Sequence, residues 1–165
     1  LDARGAITLP AWTFPNGCHV AEVEIDPLTG ETVLQRYTIV DDFGTLVNPL
    51  LVEGQVHGGV AQGAGQALLE KTVYSADGQL LSGSFMDYCM PRASDFGPIA
   101  VASHPVPSPT NLLGVKGVGE GGAIAAPAVC AAVVEDALRP FGVKCNAVPL
   151  SPAHILALIN KRKTD

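Results

Sequence analysis

The sequence predicts an α+β fold in which antiparallel hairpins pack with a long glycine-rich helix and two further helices. Three observations carry that expectation. Apolar and polar residues alternate over residues 18–26, turn chemistry follows, and residues 32–42 form a second β-rich run. Asn48-Pro49 then opens a long segment of small residues. Two later segments carry helix signals of their own. No internal repeat of the length that marks solenoid proteins is present.

Residues 1–16 are punctuated by proline and lack periodicity, so they read as an extended lead-in to one domain spanning 1–165. In the first strand His19, Ala21, Val23 and Ile25 alternate with Val20, Glu22 and Glu24. Asp26-Pro27-Leu28-Thr29-Gly30 is the turn: proline fixes φ and glycine tolerates positive φ. Asp41-Asp42-Phe43-Gly44 closes the second strand. Asn48 is a good N-cap and Pro49 a good first helical residue, which places a helix over 49–70.

Glycines at 54, 58, 59, 63 and 65 interrupt that helix, each costing about 1 kcal/mol relative to alanine. Helical spacing puts Gly54, Gly58, Ala61 and Gly65 on one stripe, with Gln55, Gly59, Gln62 and Gln66 alongside. The stripe reads either as a groove that admits a flat ligand with amides at its edge, or as close helix packing with solvated glutamines. Residues 73–81 read as a hairpin around Asp77-Gly78, and 84–93 and 99–106 as further extended pieces. Residues 123–138 read as an alanine-rich helix, and Ser151-Pro152 opens a last helix to about residue 161.

Composition narrows the function classes. Net charge is −6 and the isoelectric point is near 5.1, which argues against a nucleic-acid groove. The one basic run, Lys161-Arg162-Lys163, is terminal and reads as a solvated tail. Charged residues are 16% against roughly 25% in an average domain, so part of the surface is expected to meet another domain or subunit. No apolar stretch reaches the roughly 20 residues of a membrane span. Leu1 in place of an initiator methionine suggests a piece of a longer polypeptide, and no signal peptide is visible. Cysteines at 18, 89, 130 and 145 and histidines at 19, 57, 104 and 154 lack ligand spacing, so no metal ligand is expected from this chain.

The densest chemical signal is the run from Leu113 to Gly122, with glycines at 114, 117, 119, 121 and 122 just before a predicted helix. Main-chain N–H groups at a helix N-terminus cradle anions, and Lys116 offers a full charge. Gly117-x-Gly119-x-x-Gly122 matches the dinucleotide fingerprint only formally. Prolines 105, 107 and 109 precede it where a buried strand belongs, and Glu120 would repel a pyrophosphate. Two readings of Glu120 stand: a helix N-terminal carboxylate complementing the dipole, or a reactive group that becomes a stronger base when a bound ligand desolvates it.

Four ordered motifs then carry a resemblance over nearly all of residues 14–160. They are Asp42-Phe43-Gly44-Thr45-Leu46-Val47-Asn48-Pro49, Glu53-Gly54-Gln55-Val56-His57-Gly58-Gly59, Met86-Asp87-Tyr88 with Pro91-Arg92, and Gly117-Val118-Gly119-Glu120. Together they resemble the C-terminal part of the molybdopterin-binding large subunit of molybdenum hydroxylases, the family of xanthine dehydrogenase, aldehyde oxidase and aerobic carbon monoxide dehydrogenase.

The resemblance implies a fold of the molybdenum-cofactor-binding domain type, in an oxidoreductase that hydroxylates an aldehyde or N-heterocycle, or oxidises carbon monoxide, using water; its expected site of action is the cytoplasm, with the periplasm as the alternative. Glu120 corresponds to the base at the molybdenum site and Gln55 to the glutamine that hydrogen-bonds the pterin cofactor. Lys116, Gly117, Val118 and Gly119 correspond to the backbone lining that cofactor. Relatives often carry cysteine where this chain has Phe43. The resemblance also implies that the cofactor is shared with upstream domains, that iron–sulfur clusters and FAD reside on other domains or subunits, and that this chain alone is inactive. A second class of function is a non-catalytic scaffold that binds another protein chain through the same grooves.

Overall fold

The chain begins its regular structure with a hairpin whose turn is built by one carboxylate. In the computed structural model, which describes residues 2–8 and 10–163, strand β1 (Asn16–Ile25) pairs antiparallel with β2 (Thr32–Asp42). Asp26 accepts from the Leu28 N–H at 2.8 Å and the Thr29 hydroxyl at 2.9 Å, and these bonds lower its pKa. Gly30 completes the turn at φ +75°, packed so closely that a Cβ would lie 2.2 Å from the Pro152 carbonyl. A register shift between Glu22 and Val23 marks a bulge in β1.

β2 is the central strand. Its other neighbour, β3 (Ile99–Ser103), runs parallel to it, with Tyr37 opposite Ile99 and Asp41 opposite Ser103. Residues 99–106 are thus extended as expected only as far as Ser103, and the strand's parallel pairing was not foreseen. The Asp77-Gly78 turn forms with Gly78 at φ +82°, but its arms meet in a single bridge between Tyr74 and Leu80. Residues 84–93 are not extended: the N–H groups of Asp87 and Tyr88 fold back onto the Ser84 carbonyl.

Helix α1 (Pro49–Ala64) starts where Asn48 accepts the Leu51 N–H at 3.2 Å. It ends in a π-helical turn, Gly65–Leu69, closed by the Glu70 N–H to the Gly65 carbonyl at 2.8 Å. Helix α2 (Gly121–Ala137) begins two residues earlier than the sequence suggested and keeps Pro127 in its second turn. Helix α3 (Pro152–Lys163) buries Ile155 and Ile159. Its lead-in is tied to the π turn by the Leu150 N–H to the Ala67 carbonyl at 2.7 Å. Leu1 and the side chains of Arg162 and Lys163, on which the reading of a terminal piece and a basic tail rested, lie outside the described residues.

α2 packs on β1 and runs along α1, so the core lies between sheet and helices, around Tyr37, Ile39, Val56, Val60, Cys130 and Val134. The α1–α2 contact explains the glycines. Val56, Gly59, Val60, Gly63 and Ala64 form the buried face of α1. A Cβ on Gly59 would lie 2.6 Å from the Ala123 nitrogen, and one on Gly122 would lie 2.3 Å from the Val56 carbonyl.

The Gly54/Gly58/Ala61/Gly65 stripe is therefore not a groove. Gly54 and Gly58 face open space, and Gly65 is packed under Pro91. Burial follows the valines, and that rotates the contact face away from the stripe that counting small residues selects. Gln62 and Gln66 are exposed, as the packing alternative has it.

Two substitutions separate these environments. Gly122→Ala forces backbone apart and is expected to destabilise the chain by about 1–3 kcal/mol. Gly58→Ala meets nothing within 4 Å and is expected to stabilise it by about 0.4–1 kcal/mol. Urea midpoints of the two variants check both signs.

Candidate functional site

β2 ends in two consecutive carboxylates that leave the strand on opposite faces. On one face, Asp42 gathers four donors. Its Oδ1 accepts from the N–H groups of Gly44 at 2.8 Å and Val106 at 2.9 Å, and its Oδ2 takes Lys116 Nζ at 2.5 Å and Asn16 Nδ2 at 3.3 Å. Both charged side chains are nearly buried. Burial alone would push Asp42 up. The Lys116 ammonium and the two backbone N–H groups outweigh it and hold the carboxyl well below the usual range.

The backbone reinforces this junction. The Thr45 N–H bonds the Gly114 carbonyl at 2.9 Å and the Lys116 N–H bonds the Phe43 carbonyl at 3.0 Å, so 43–45 and 114–116 pair as a short antiparallel bridge. Gly44 and Gly114 both take positive φ there, and a Cβ on Gly44 would lie 2.2 Å from the Gly114 carbonyl.

From this junction residues 117–120 run to the start of α2. Gln55 reaches across from α1, its Nε2 donating to the Gly119 carbonyl at 2.5 Å. Gln55, Lys116, Val118 and Gly119 line one cleft of about 360 Å³, together with Phe43, Leu46, Val52 and others from the 43–52 segment. Its rim carries exposed apolar side chains, Val47 and Leu51.

Glu120 stands at the N-cap position of α2. Its carbonyl accepts from the Ala123 and Ile124 N–H groups at 2.9 and 3.1 Å, while its carboxylate makes no capping bond and is exposed. The structure thus brings Gln55 next to the residue preceding Glu120, although the two are 64 residues apart in the bond that joins them. Glu120 itself is not among the residues lining the cleft.

One detail differs from the reading of the sequence. The Lys116 ammonium, expected to face a phosphate, is spent on Asp42, so only the backbone of that residue is left to serve a ligand. Phe43 is buried, with its ring so near Gly121 that a Cβ there would fall 2.5 Å from Cε1. The residue the sequence argument passed over is Asp42. Its Asx-type bond to the Gly44 N–H was legible in Asp42-Phe43-Gly44, but its lysine lies 74 residues away.

Comparison with known proteins gives the site its context. Residues 2–97 match the molybdopterin cofactor-binding domain family. The chain belongs to that family. The nicotine 6-hydroxylase large subunit of Paenarthrobacter nicotinovorans is 41% identical over 143 residues, which is 87% of this chain and 18% of that protein. The carbon monoxide dehydrogenase large chain of Hydrogenophaga pseudoflava is 38% identical over 135 residues, 81% of this chain and 17% of that one. Among solved structures, quinoline 2-oxidoreductase from Pseudomonas putida 86 superimposes with a TM-score of 0.87 at 42% identity, covering 90% of this chain and 19% of that chain. This molybdopterin-binding chain therefore spans less than a fifth of the length of the relatives it matches.

The residues present fit such a cofactor. Among the described residues, the N–H groups of Gly117, Val118, Gly119 and Glu120 have no hydrogen-bond partner, which leaves a row of donors for phosphate or pterin oxygens. A Cβ on Gly117 or Gly119 would meet nothing within 4 Å, so the loop is open to close approach. No helix among the described residues is long and apolar enough to cross a membrane, and no group of three candidate metal ligands occurs among them.

Because the folded state lowers its pKa, Asp42 contributes stability that is complete above its ordinary value of 3.8 and is lost as the pH falls through the folded value. Asp42→Asn is expected to lower the melting temperature at pH about 7, and the deficit should shrink towards pH about 2. Thermal unfolding across that range, wild type against variant, is the check.

Proposed function

We propose that this chain is the C-terminal cofactor-binding domain of a molybdenum hydroxylase large subunit, with Glu120 as the base and Gln55 with the backbone of Lys116, Gly117, Val118 and Gly119 as cofactor contacts. The observation that carries the reading is the Gln55–Gly119 bond across a ligand-sized cleft, one residue from Glu120.

When bound, the molybdenum cofactor supplies two-electron oxidising chemistry. The chain's own contribution is positional. Gly117 to Glu120 offer their free N–H groups to the cofactor's oxygens, and Gln55 fixes the height of the loop over α1. The Glu120 backbone is anchored by the first turn of α2, so its unengaged carboxylate can accept a proton at Oε without the loop moving.

Water is excluded from outside: Val47 and Leu51 at the rim become the seat of the rest of the subunit, which also completes the cleft. The reading includes a small-molecule substrate, electron transfer to iron–sulfur and flavin groups on other domains or subunits, and a cytoplasmic site of action. Relatives that are named as large subunits or chains, and one named as subunit gamma of a complex, support such an assembly.

In the complete protein, Glu120→Gln is expected to lower turnover by at least about 100-fold, the usual worth of a general base, with molybdenum content retained. Reductive half-reaction kinetics with metal analysis decide it, and near-native turnover sinks the role of Glu120. Gln55→Ala is expected instead to lower the molybdenum content per polypeptide.

A further inference from the structure

On the opposite face of β2 from Asp42, a second carboxylate sits in a different setting. Asp41 is 4% exposed, and its Oδ1 lies 3.4 Å from His19 Nε2. His19 Nδ1 lies 3.0 Å from the Tyr37 hydroxyl, and the two rings meet edge to face. The other carboxylate oxygen, Asp41 Oδ2, is buried with no hydrogen-bond partner among the described residues. Asp41 and His19 also line a pocket of about 140 Å³ beside Gly17, Phe43 and Gly121, where α2 begins.

We propose that Tyr37, His19 and Asp41 form a buried proton-binding site, which holds one proton at low pH and releases it to solvent as the pH rises, drawing water into the pocket. Hydrogen-bond roles dictate the two states. With the proton bound, His19 Nδ1–H donates to the Tyr37 oxygen, and the Asp41–His19 contact carries no net charge. With the proton gone, the Tyr37 hydroxyl turns to donate to Nδ1, Nε2–H donates to Oδ1, and a negative charge is left on a carboxylate whose second oxygen has no donor. An unpaired buried anion is costly, and among the described residues no group hydrogen-bonds Oδ2. Water is the donor small enough for the pocket, which exceeds the roughly 30 Å³ that one water occupies.

The surroundings leave the pair to titrate by itself. From β1 the titratable group is His19, and from β2 it is Tyr37, whose hydroxyl burial pushes up. Asp42 is turned to the other face and paired with Lys116. From α2 it is Cys130, pushed up to about 11 by burial and so neutral. β3 and the segment after it contribute the Ser103 hydroxyl and the His104 N–H, both to the Asp41 carbonyl rather than its carboxylate. Burial pushes the Asp41 carboxyl up, against the pull of His19.

The linkage has a definite sign. A carboxyl raised on folding contributes stability that is fully present below its ordinary value of 3.8 and is lost as the pH rises through the folded value. In the complete protein, the stability of wild type relative to Asp41→Asn is therefore expected to fall as the pH rises above about 4. Over the same range, nitrogen NMR of labelled histidine, with the His19 signal identified by its loss in His19→Gln, is expected to show Nδ1 passing from protonated to unprotonated. The second measurement reads the wild type, so it decides the matter if Asp41→Asn does not fold. A stability difference independent of pH, or a His19 Nδ1 that keeps one state throughout, overturns the proposal.

Discussion

The Asp42–Lys116 pair is the constraint on which the candidate site depends. It joins the end of the central strand to the loop that carries Gly117 to Glu120, and it does so from a nearly buried position where each charge needs the other. The carboxylate also holds the N–H groups of Gly44 and Val106, so one side chain sets three segments at once. Removing the lysine would strand a carboxylate that burial alone disfavours. That requirement explains why Lys116 sits in a glycine-rich loop yet is not offered to a ligand.

Around that tie, the closeness of α1 and α2 does the rest. Gly59 and Gly63 face Gly122, Ala126 and Pro127 with no room for a Cβ, so the helix that bears Gln55 and the helix that follows Glu120 touch by backbone. The glycines lower the helix propensity of α1, and the burial of Val56 and Val60 compensates for it. Two rigid contacts, one ionic and one steric, thus place Gln55 over the Gly119 carbonyl.

Much of this was legible in the sequence. The period-two alternation at His19, Ala21, Val23 and Ile25 gave the inward face of β1, and Asp26 to Gly30 gave its turn. Asn48-Pro49 and Ser151-Pro152 gave helix starts to the residue. The motifs around Gln55 and Glu120 gave the family. What escaped was non-local. The five residues of β3 carry no pattern that distinguishes a parallel partner of β2 from loop. The contact face of α1 depends on where α2 lies, so small residues alone chose the wrong stripe. The π turn after Ala64 answers to Pro91 and Leu150, neither of which is near it in sequence.

The separation of those partners also orders events in time. The β1–β2 hairpin closes over a six-residue connection and can form as soon as residue 42 has been synthesised. The Asp42–Lys116 tie, the Gln55–Gly119 bond and the Gly59–Gly122 contact each wait for sixty or more further residues. Closing loops of that length adds only slowly to the entropy cost, about 0.6 kcal/mol per doubling, so the delay is one of sequence rather than of free energy. During that interval α1 has its valine face uncovered. A nascent chain halted before α2 would show an apolar, glycine-notched helix beside a finished hairpin, the state in which chaperones or misfolding would have their chance.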